Sequence, residues 1–318
     1  MKTRGYIAVL LLALLGLSVH AQDDPETYSV GSQYPLYSQY LLDGLVVNPA
    51  YAGTRNALSI ALSGRKRMLG FDGENTLASF SVHTPLKKER VALGFSVNHM
   101  TYGVTKQTSF FGYYAFHINT DRGKWSLGLK AGMDMLTADY RGVVGMENND
   151  PAFSGEVEKR NMYNVGTGLY YVSQNFFIGA AVPALISWEI DTSNYSIGPG
   201  FSMSNMDVLL TGGVLLSVSE NVKLKPSFLM KYSLNGLLRL DANANIILYD
   251  FLWLGASWRI GEEALVALLE LQVSQQLRLG YSYDYNMGAI SSFIGGTHEV
   301  ALRFDFGKRV SASNPRYF

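Results

Sequence analysis

The 318 residues include no cysteine, which excludes a disulfide framework, thiolate zinc ligation, a cysteine nucleophile and an N-terminal lipid carried on sulfur. Neither sign of charge is in surplus. The 26 Lys and Arg face 26 Asp and Glu, so no net field singles out nucleic acid or an anionic surface as the main partner. Charge of any kind is sparse, at 16% of residues. Long apolar runs are missing as well: after residue 21 nothing approaches the roughly 18 apolar residues that a membrane-crossing helix needs, and mean hydropathy is only +0.06. A bundle of membrane helices is excluded. What is abundant is Gly (32), Tyr (20) and Phe (16) in a chain that is 47% hydrophobic, a composition far from that of a disordered protein.

The first residues have the form of an export signal. Met1, Lys2, Thr3 and Arg4 make a basic start, 6–19 is nearly all apolar, and Val19-His20-Ala21 precedes a cut before Gln22. Residues 1–21 are expected to be cleaved. Losing Lys2 and Arg4 lowers the 26 basic residues to 24 and leaves the 26 acidic ones, a formal net of −2.

From about residue 56 onward, segments of eight to twelve residues alternate apolar with polar or small side chains, punctuated by Gly, Asn, Asp and Ser. In 277–285 the odd positions are Leu277, Leu279, Tyr281, Tyr283 and Tyr285, and the even ones Arg278, Gly280, Ser282 and Asp284. The division recurs in 238–248 and in 299–306. A soluble sandwich also alternates, so the make-up of the polar face decides. Here it is mostly small residues with few charges, as in Ala57, Ser59, Ala61 and Ser63 opposite Leu58, Ile60 and Leu62. Small polar residues suit the inside of a barrel, and a continuous aliphatic and aromatic outside suits lipid. Trp125, Trp253, Trp258, Tyr281 to Tyr285, Phe304 and Phe306 lie near segment ends, as interfacial girdles require.

Strands are expected near 56–64, 75–84, 90–100, 106–119, 124–134, 162–173, 175–182, 206–218, 221–233, 237–248, 250–260, 263–273, 276–285 and 297–307. Their number, fourteen, is even, as a bacterial single-chain barrel requires. Gaps after even-numbered strands are short, and every long one (65–74, 138–161, 183–203 and 286–296) follows an odd-numbered strand. That is the outer-membrane arrangement, all-β and antiparallel, with both termini on the periplasmic side. The expected organisation is a signal peptide at 1–21, a periplasmic or lumenal segment at 22–55, a transmembrane β-barrel at 56–307 and a periplasmic tail at 308–318.

The N-terminal segment breaks the strand rhythm. It contains Tyr37-Ser38-Gln39-Tyr40, Leu41-Leu42 and Asn48-Pro49-Ala50-Tyr51-Ala52-Gly53, and Asn48-Pro49 favours a turn. These motifs, with Gly296-Thr297-His298-Glu299 opening the last strand, resemble the PorP/SprF family. Leu69-Gly70-Phe71, 94–98, 253–259 and 280–284 fit it too, in the right order along essentially the whole mature chain. Thr297 stands where the family often has Ser, and no Trp precedes Gly70 in 64–68. The resemblance implies an outer-membrane protein of the type IX secretion system of Bacteroidota. It further implies partners among the periplasmic ring and peptidoglycan-tethered proteins of the secretion and gliding machine, or a particular secreted adhesin. Composition and periodicity lead only to a barrel in outer-membrane lipid.

Chemistry finds little footing. His83, His99, His117 and His298 do not converge by strand phase, and neither Gly-x-Ser-x-Gly nor His-Glu-x-x-His occurs. His298 beside Glu299 reads as a polar pair closing the barrel rather than a base with its orienting acid. Glu147, Asn148, Asn149, Asp150 and Glu156 lack EF-hand spacing. No catalytic, cofactor or metal site is expected, nor a nucleic-acid partner. The inner charges Lys130, Asp134, Arg239, Asp241, Glu270, Arg278, Asp284, Arg303 and Asp305 mix signs, unlike the single-sign ring of a selective pore. They are expected to pair across a packed lumen that the segment 22–53 helps fill. Partner-binding or family-motif residues are expected at Tyr37, Ser38, Gln39, Tyr40, Asn48, Pro49, Ala50, Tyr51, Gly53, His298, Glu299, Arg316, Tyr317 and Phe318. A general porin is the reading outside the family.

Overall fold

The structure, a computed structural model, describes residues 37–67, 75–86, 89–142, 157–191, 196–200, 206–234, 238–288 and 295–306. The alternating segments form β1 (Leu58–Arg67), β2 (Asn75–Pro85), β3 (Val91–Tyr102), β4 (Thr105–Thr120), β5 (Gly123–Asp139), β6 (Val157–Ser173), β7 (Phe176–Asp191), β8 (Ser196–Gly200), β9 (Asp207–Val214), β10 (Leu216–Ser217), β11 (Val222–Ser233), β12 (Leu238–Leu248), β13 (Leu252–Ile260), β14 (Ala264–Gln272), β15 (Leu277–Asn286) and β16 (Thr297–Phe306). Strands β1 to β7 pair in order, β7 continues to β9, β9 to β11, and β11 to β16 pair in order. The last strand closes on the first, from Leu58↔Phe306 to Lys66↔His298. The short β8 and β10 only extend the ends of β7 and β11. Without them the wall is a closed antiparallel barrel of fourteen strands, as the sequence led us to expect. Closure leaves no unpaired edge, the condition for a sheet to stand in a bilayer core without water.

The period of two sorts the wall into two faces. On β5, Leu127 and Leu129 are 51% and 55% exposed, while the adjacent Ser126 and Lys130 are at most 4% exposed. Large apolar side chains therefore cover the outside and polar ones line the inside, the reverse of a soluble barrel. At the short-turn rim Trp125, Tyr171 and Phe176 pack in a chain of tilted rings with centroids 4.6 and 5.4 Å apart. Trp258, Tyr281 and Tyr285 are exposed towards the opposite rim. Trp253 departs from the girdle expected of it. It is 2% exposed and faces the lumen, because it shares the phase of Gly255, Ser257 and Arg259 on β13.

Several strands outrun their expected ends. β1 continues through Arg65 to Arg67, β5 to Asp139, and β6 begins at Val157. β7 passes Pro183 and reaches Asp191, because its register with β6 shifts between Val165 and Thr167. That irregularity takes up a residue lacking an N–H, so proline is tolerated in the wall.

Residues 37–56 run inside the wall. Tyr37 and Tyr40 pack with Leu77, Leu209 and Leu229 in the half nearer the long connections. Ala50 and Tyr51 pack with Ala92, Tyr170, Ile247 and Trp253 in the half nearer the short turns. Short 3-10 turns at Gly44–Val46 and Pro49–Tyr51 compact the segment. At its end the Lys124 ammonium donates to the Asn56 side-chain oxygen (2.6 Å) at the short-turn rim, and β1 begins there.

Candidate functional site: the lumenal segment and its ion network

Ser38 is the centre of the long-loop half. Its hydroxyl donates to Asp284 on β15 (2.9 Å) and accepts from Arg65 on β1 (2.6 Å) and Arg259 on β13 (2.9 Å). One donor and two acceptor sites are thereby all used. Both arginines also bind the Asp284 carboxylate, at 2.6 and 2.8 Å. Glu299 on β16 accepts the successive backbone N–H groups of Ser38 and Gln39, each at 2.9 Å, and an Arg65 N–H at 2.8 Å. The Arg65, Asp284, Arg259 and Glu299 side chains are at most 2% exposed. From this buried centre the ion pairs continue through Asp241, Arg239 and Glu262 to Arg67, whose side chain is 38% exposed. Alternating signs in contact offset much of the desolvation cost that each charge incurs on burial.

The aromatic residues of the same motif hold its flanks. The Tyr37 hydroxyl donates to the Asn98 side-chain oxygen (3.2 Å), and the Asn243 amide donates to the Tyr40 hydroxyl (2.7 Å). Further along, Arg303 donates to the Leu42 carbonyl (2.7 Å) and Ser81 to Asp43 (2.6 Å).

Asn48 organises the short-turn half. Its side-chain oxygen caps the turn that Pro49 starts, accepting from Ala50 N at 2.9 Å. Its amide nitrogen reaches the carbonyls of Leu169 and Ala180 on β6 and β7. The wall is shaped to match. A Cβ on Gly128 would lie 2.1 Å from Ala50 N, and one on Gly168 would lie 2.2 Å from the Asn48 side-chain oxygen. Both wall positions need hydrogen where they meet the segment. Tyr51 sets its ring edge-on to His83 and Tyr170, with centroids 5.6 and 5.7 Å away. Gly53, at φ +71°, donates its N–H to His83 Nδ1 (3.1 Å), and a Cβ there would lie 3.1 Å from His117 Nε2. His83 and His117 thus flank one glycine near the short-turn rim, while His99 and His298 stay apart from them. The segment closes with Arg55, which holds Asp305 through Nε and Nη2 (2.9 Å for the latter). Between the segment and β6, β7 and β9 there is a cavity of about 20 Å³ lined by Tyr40, Leu41, Val47, Tyr51, Tyr170 and Phe177, room for about one water.

The structure therefore gathers Tyr37, Ser38, Gln39, Tyr40, Asn48, Pro49, Ala50, Tyr51, Gly53 and Glu299 in one lumen. His298 does not join them. Adjacent strand residues face opposite ways, so Glu299 is buried inside while His298 stands outside, its Nδ1 2.7 Å from the Tyr281 hydroxyl. The reading of the two as one polar pair is corrected accordingly. His99 is also outside, bonded to Thr108. Arg316, Tyr317 and Phe318, and Glu147, Asn148, Asn149, Asp150 and Glu156, lie outside the described residues. The expected inner charges do face inward. Arg278 pairs with Glu270 (3.4 Å) and lies over the Trp253 ring (4.0 Å). Sequence reading missed Arg55, Arg65 and Arg259. The spacing puts Arg65 in the connection 65–74, yet Ser59, Ala61, Ser63, Arg65 and Arg67 continue one inward phase that marks it as a strand residue.

A profile of the type IX secretion system membrane protein PorP/SprF family matches residues 29–304. No curated protein matches the chain. Among solved structures, the CymD monoaromatic hydrocarbon channel superposes with a TM-score of 0.52 at 10% identity, covering 83% of this chain and 93% of its own. The toluene transporter TbuX of Ralstonia pickettii gives 0.46 at 10% identity, over 84% and 93%. The outer membrane protein Omp33 of Acinetobacter baumannii gives 0.44 at 8%, over 79% and 99%. At such identities the likeness extends to the fold alone.

Proposed function

The chain belongs to the PorP/SprF family of type IX secretion system membrane proteins, and from that premise we propose that it is a non-enzymatic outer-membrane component of the secretion and gliding machinery. In this role it links the outer membrane to periplasmic ring proteins and a peptidoglycan-tethered protein. The short-turn rim, where β1 begins and β16 ends, faces the periplasm and carries those contacts together with the tail 308–318. The segment 22–55 follows a cleaved signal peptide, and its described part, 37–55, packs in the lumen.

The observation that carries this reading is the filled lumen. A general porin needs a water-filled path, whereas here Ser38, Asn48 and Arg55 are bonded to the wall along the length of the barrel. Among the described residues, the lumenal charges are largely spent on one another and on the segment. A barrel so filled serves as a rigid membrane platform rather than a solute channel.

A mild-detergent pull-down of the tagged protein from its own outer membrane, followed by mass spectrometry, tests the proposal. Periplasmic ring and peptidoglycan-binding proteins should be recovered. One large adhesin in their place would make the protein a dedicated surface anchor, and recovery of neither would return the porin reading. Removing residues 314–318 should reduce the recovered complex while leaving the heat-modifiable barrel intact; equal recovery would argue against a contact through the tail.

A further inference from the structure

Most of the outer wall needs no explanation beyond lipid, but one arc of its long-loop boundary does. Cross-strand partners there form a continuous outward row. It runs from His298 on β16 to Lys66 on β1, Thr76 on β2, Thr101 on β3, Lys106 on β4, Thr137 on β5 and Lys159 on β6. Their inward neighbours Glu299, Arg65, Leu77, Thr105 and Leu136 are buried, which fixes the row on the outside. Four residues further down each strand the same wall is purely apolar or aromatic, in the row Leu62, Phe80, Val97, Phe110, Met133 and Tyr163.

The height of the row identifies what it meets. On β5, Thr137 stands twelve residues from Trp125 in the opposite girdle, about 30 Å along the barrel axis at a strand tilt of about 40°. The row is therefore at head-group level when the girdle of Trp125 is at the other interface. It is also one-sided. The outward positions of β11 to β15 carry no Lys, Arg, Asp or Glu, and near the same rim they present Tyr232, Trp258, Ile260, Leu265 and Tyr285. Lysines that merely keep a rim wet would have no reason to keep to one arc. Asp139, next outward from Thr137, is bonded to Arg141 (2.6 Å).

We propose that this arc is a binding strip for a phosphorylated saccharide head group of an outer-leaflet lipid. Lys106 and Lys159 meet phosphates, and Thr76, Thr101 and Thr137 hydrogen-bond sugar hydroxyls beside them. At a strand spacing of about 4.8 Å, Lys106 and Lys159, two strands apart, stand about 10 Å from each other, a span that suits phosphates at the two ends of a disaccharide. Charge on the protein and charge on the ligand are complementary, and the aliphatic lysine stems lie on the apolar wall beside acyl chains.

The assignment rests on the long-loop rim facing the outer leaflet, yet its test does not depend on any secretion partner. The purified full-length barrel is titrated with diphosphoryl lipid A, with phosphatidylcholine and with inorganic phosphate, and bound lipid is counted by native mass spectrometry. Wild type should retain lipid A, and K106Q/K159Q should bind it about thirtyfold more weakly. K223Q, near the short-turn rim, should match wild type. Heat-modifiable migration reports that each variant is folded. Equal retention of lipid A by the double variant, equal retention of phosphatidylcholine by wild type, or displacement of lipid A by millimolar phosphate would each overturn the proposal. A failed pull-down of ring proteins leaves these outcomes unchanged, so the two readings stand or fall separately.

Discussion

At the scale of single residues, the two family motifs turn out to be halves of one contact. Glu299, from the motif that opens β16, holds the backbone of Ser38 and Gln39 from the motif of the lumenal segment. Ser38→Ala should destabilise the barrel by about 1–3 kcal/mol, because it leaves two buried arginine N–H groups without an acceptor. A shift of the urea midpoint at unchanged slope would measure that cost. Glu299→Ala should cost more, about 3–5 kcal/mol, since it strands Arg65 beside a single acid. Equal midpoints for these two variants would contradict the central place given to Glu299. Gly128→Val tests the fit from the wall side. Its side chain would enter the space of Ala50, so the segment should leave the wall there and become open to added protease while the barrel still migrates as folded.

At the scale of elements, most of the architecture was legible in the sequence and the exceptions are instructive. Strand phase is local: once Leu277 and Leu279 face lipid, Arg278 and Gly280 face inward whatever the rest of the chain does. Strand ends are not local, because β5 and β7 extend as far as a partner strand continues to pair with them. Asn48-Pro49 marked a turn correctly, but what the turn rests on comes from Gly128 and Gly168, which carry no pattern of their own. The turn joining β12 to β13 is unusual, with Tyr249 and Asp250 both at positive φ (52° and 53°) and Tyr249 73% exposed. Asn or Gly suits such a position better. Tyr249→Asn should therefore stabilise the barrel by a few tenths to about 1 kcal/mol. If the short-turn rim carries the periplasmic contacts, the same variant should lower recovery of ring proteins, and a stabilised variant with full recovery would move those contacts elsewhere on the rim.

At the scale of the whole molecule, a closed wall and a filled lumen make separable demands. Every wall strand is paired on both sides without help from the segment, so deleting residues 22–47 should leave a heat-modifiable barrel. Its single-channel conductance should rise well above that of wild type, because the inward charges would then face water rather than Ser38 and Leu42. Unchanged conductance in a folded deletion variant would mean that the segment does not close the lumen.

The amino-acid sequence by itself determined the class of solvent on each side of the wall, the number of strands and the rim that holds the long connections. All of these follow from side-chain period and spacing along the chain. Only the tertiary structure decided which charges meet. Arg65 and Glu299 are 234 residues apart, and nothing in their neighbourhoods pairs them until β1 closes on β16. Trp253 divides in the same way: its phase with Gly255, Ser257 and Arg259 turns it inward, and only the register of the strands sets its ring against Arg278. Periodicity is carried by each segment alone, whereas an ion pair across the lumen exists only once the sheet has curved back on itself.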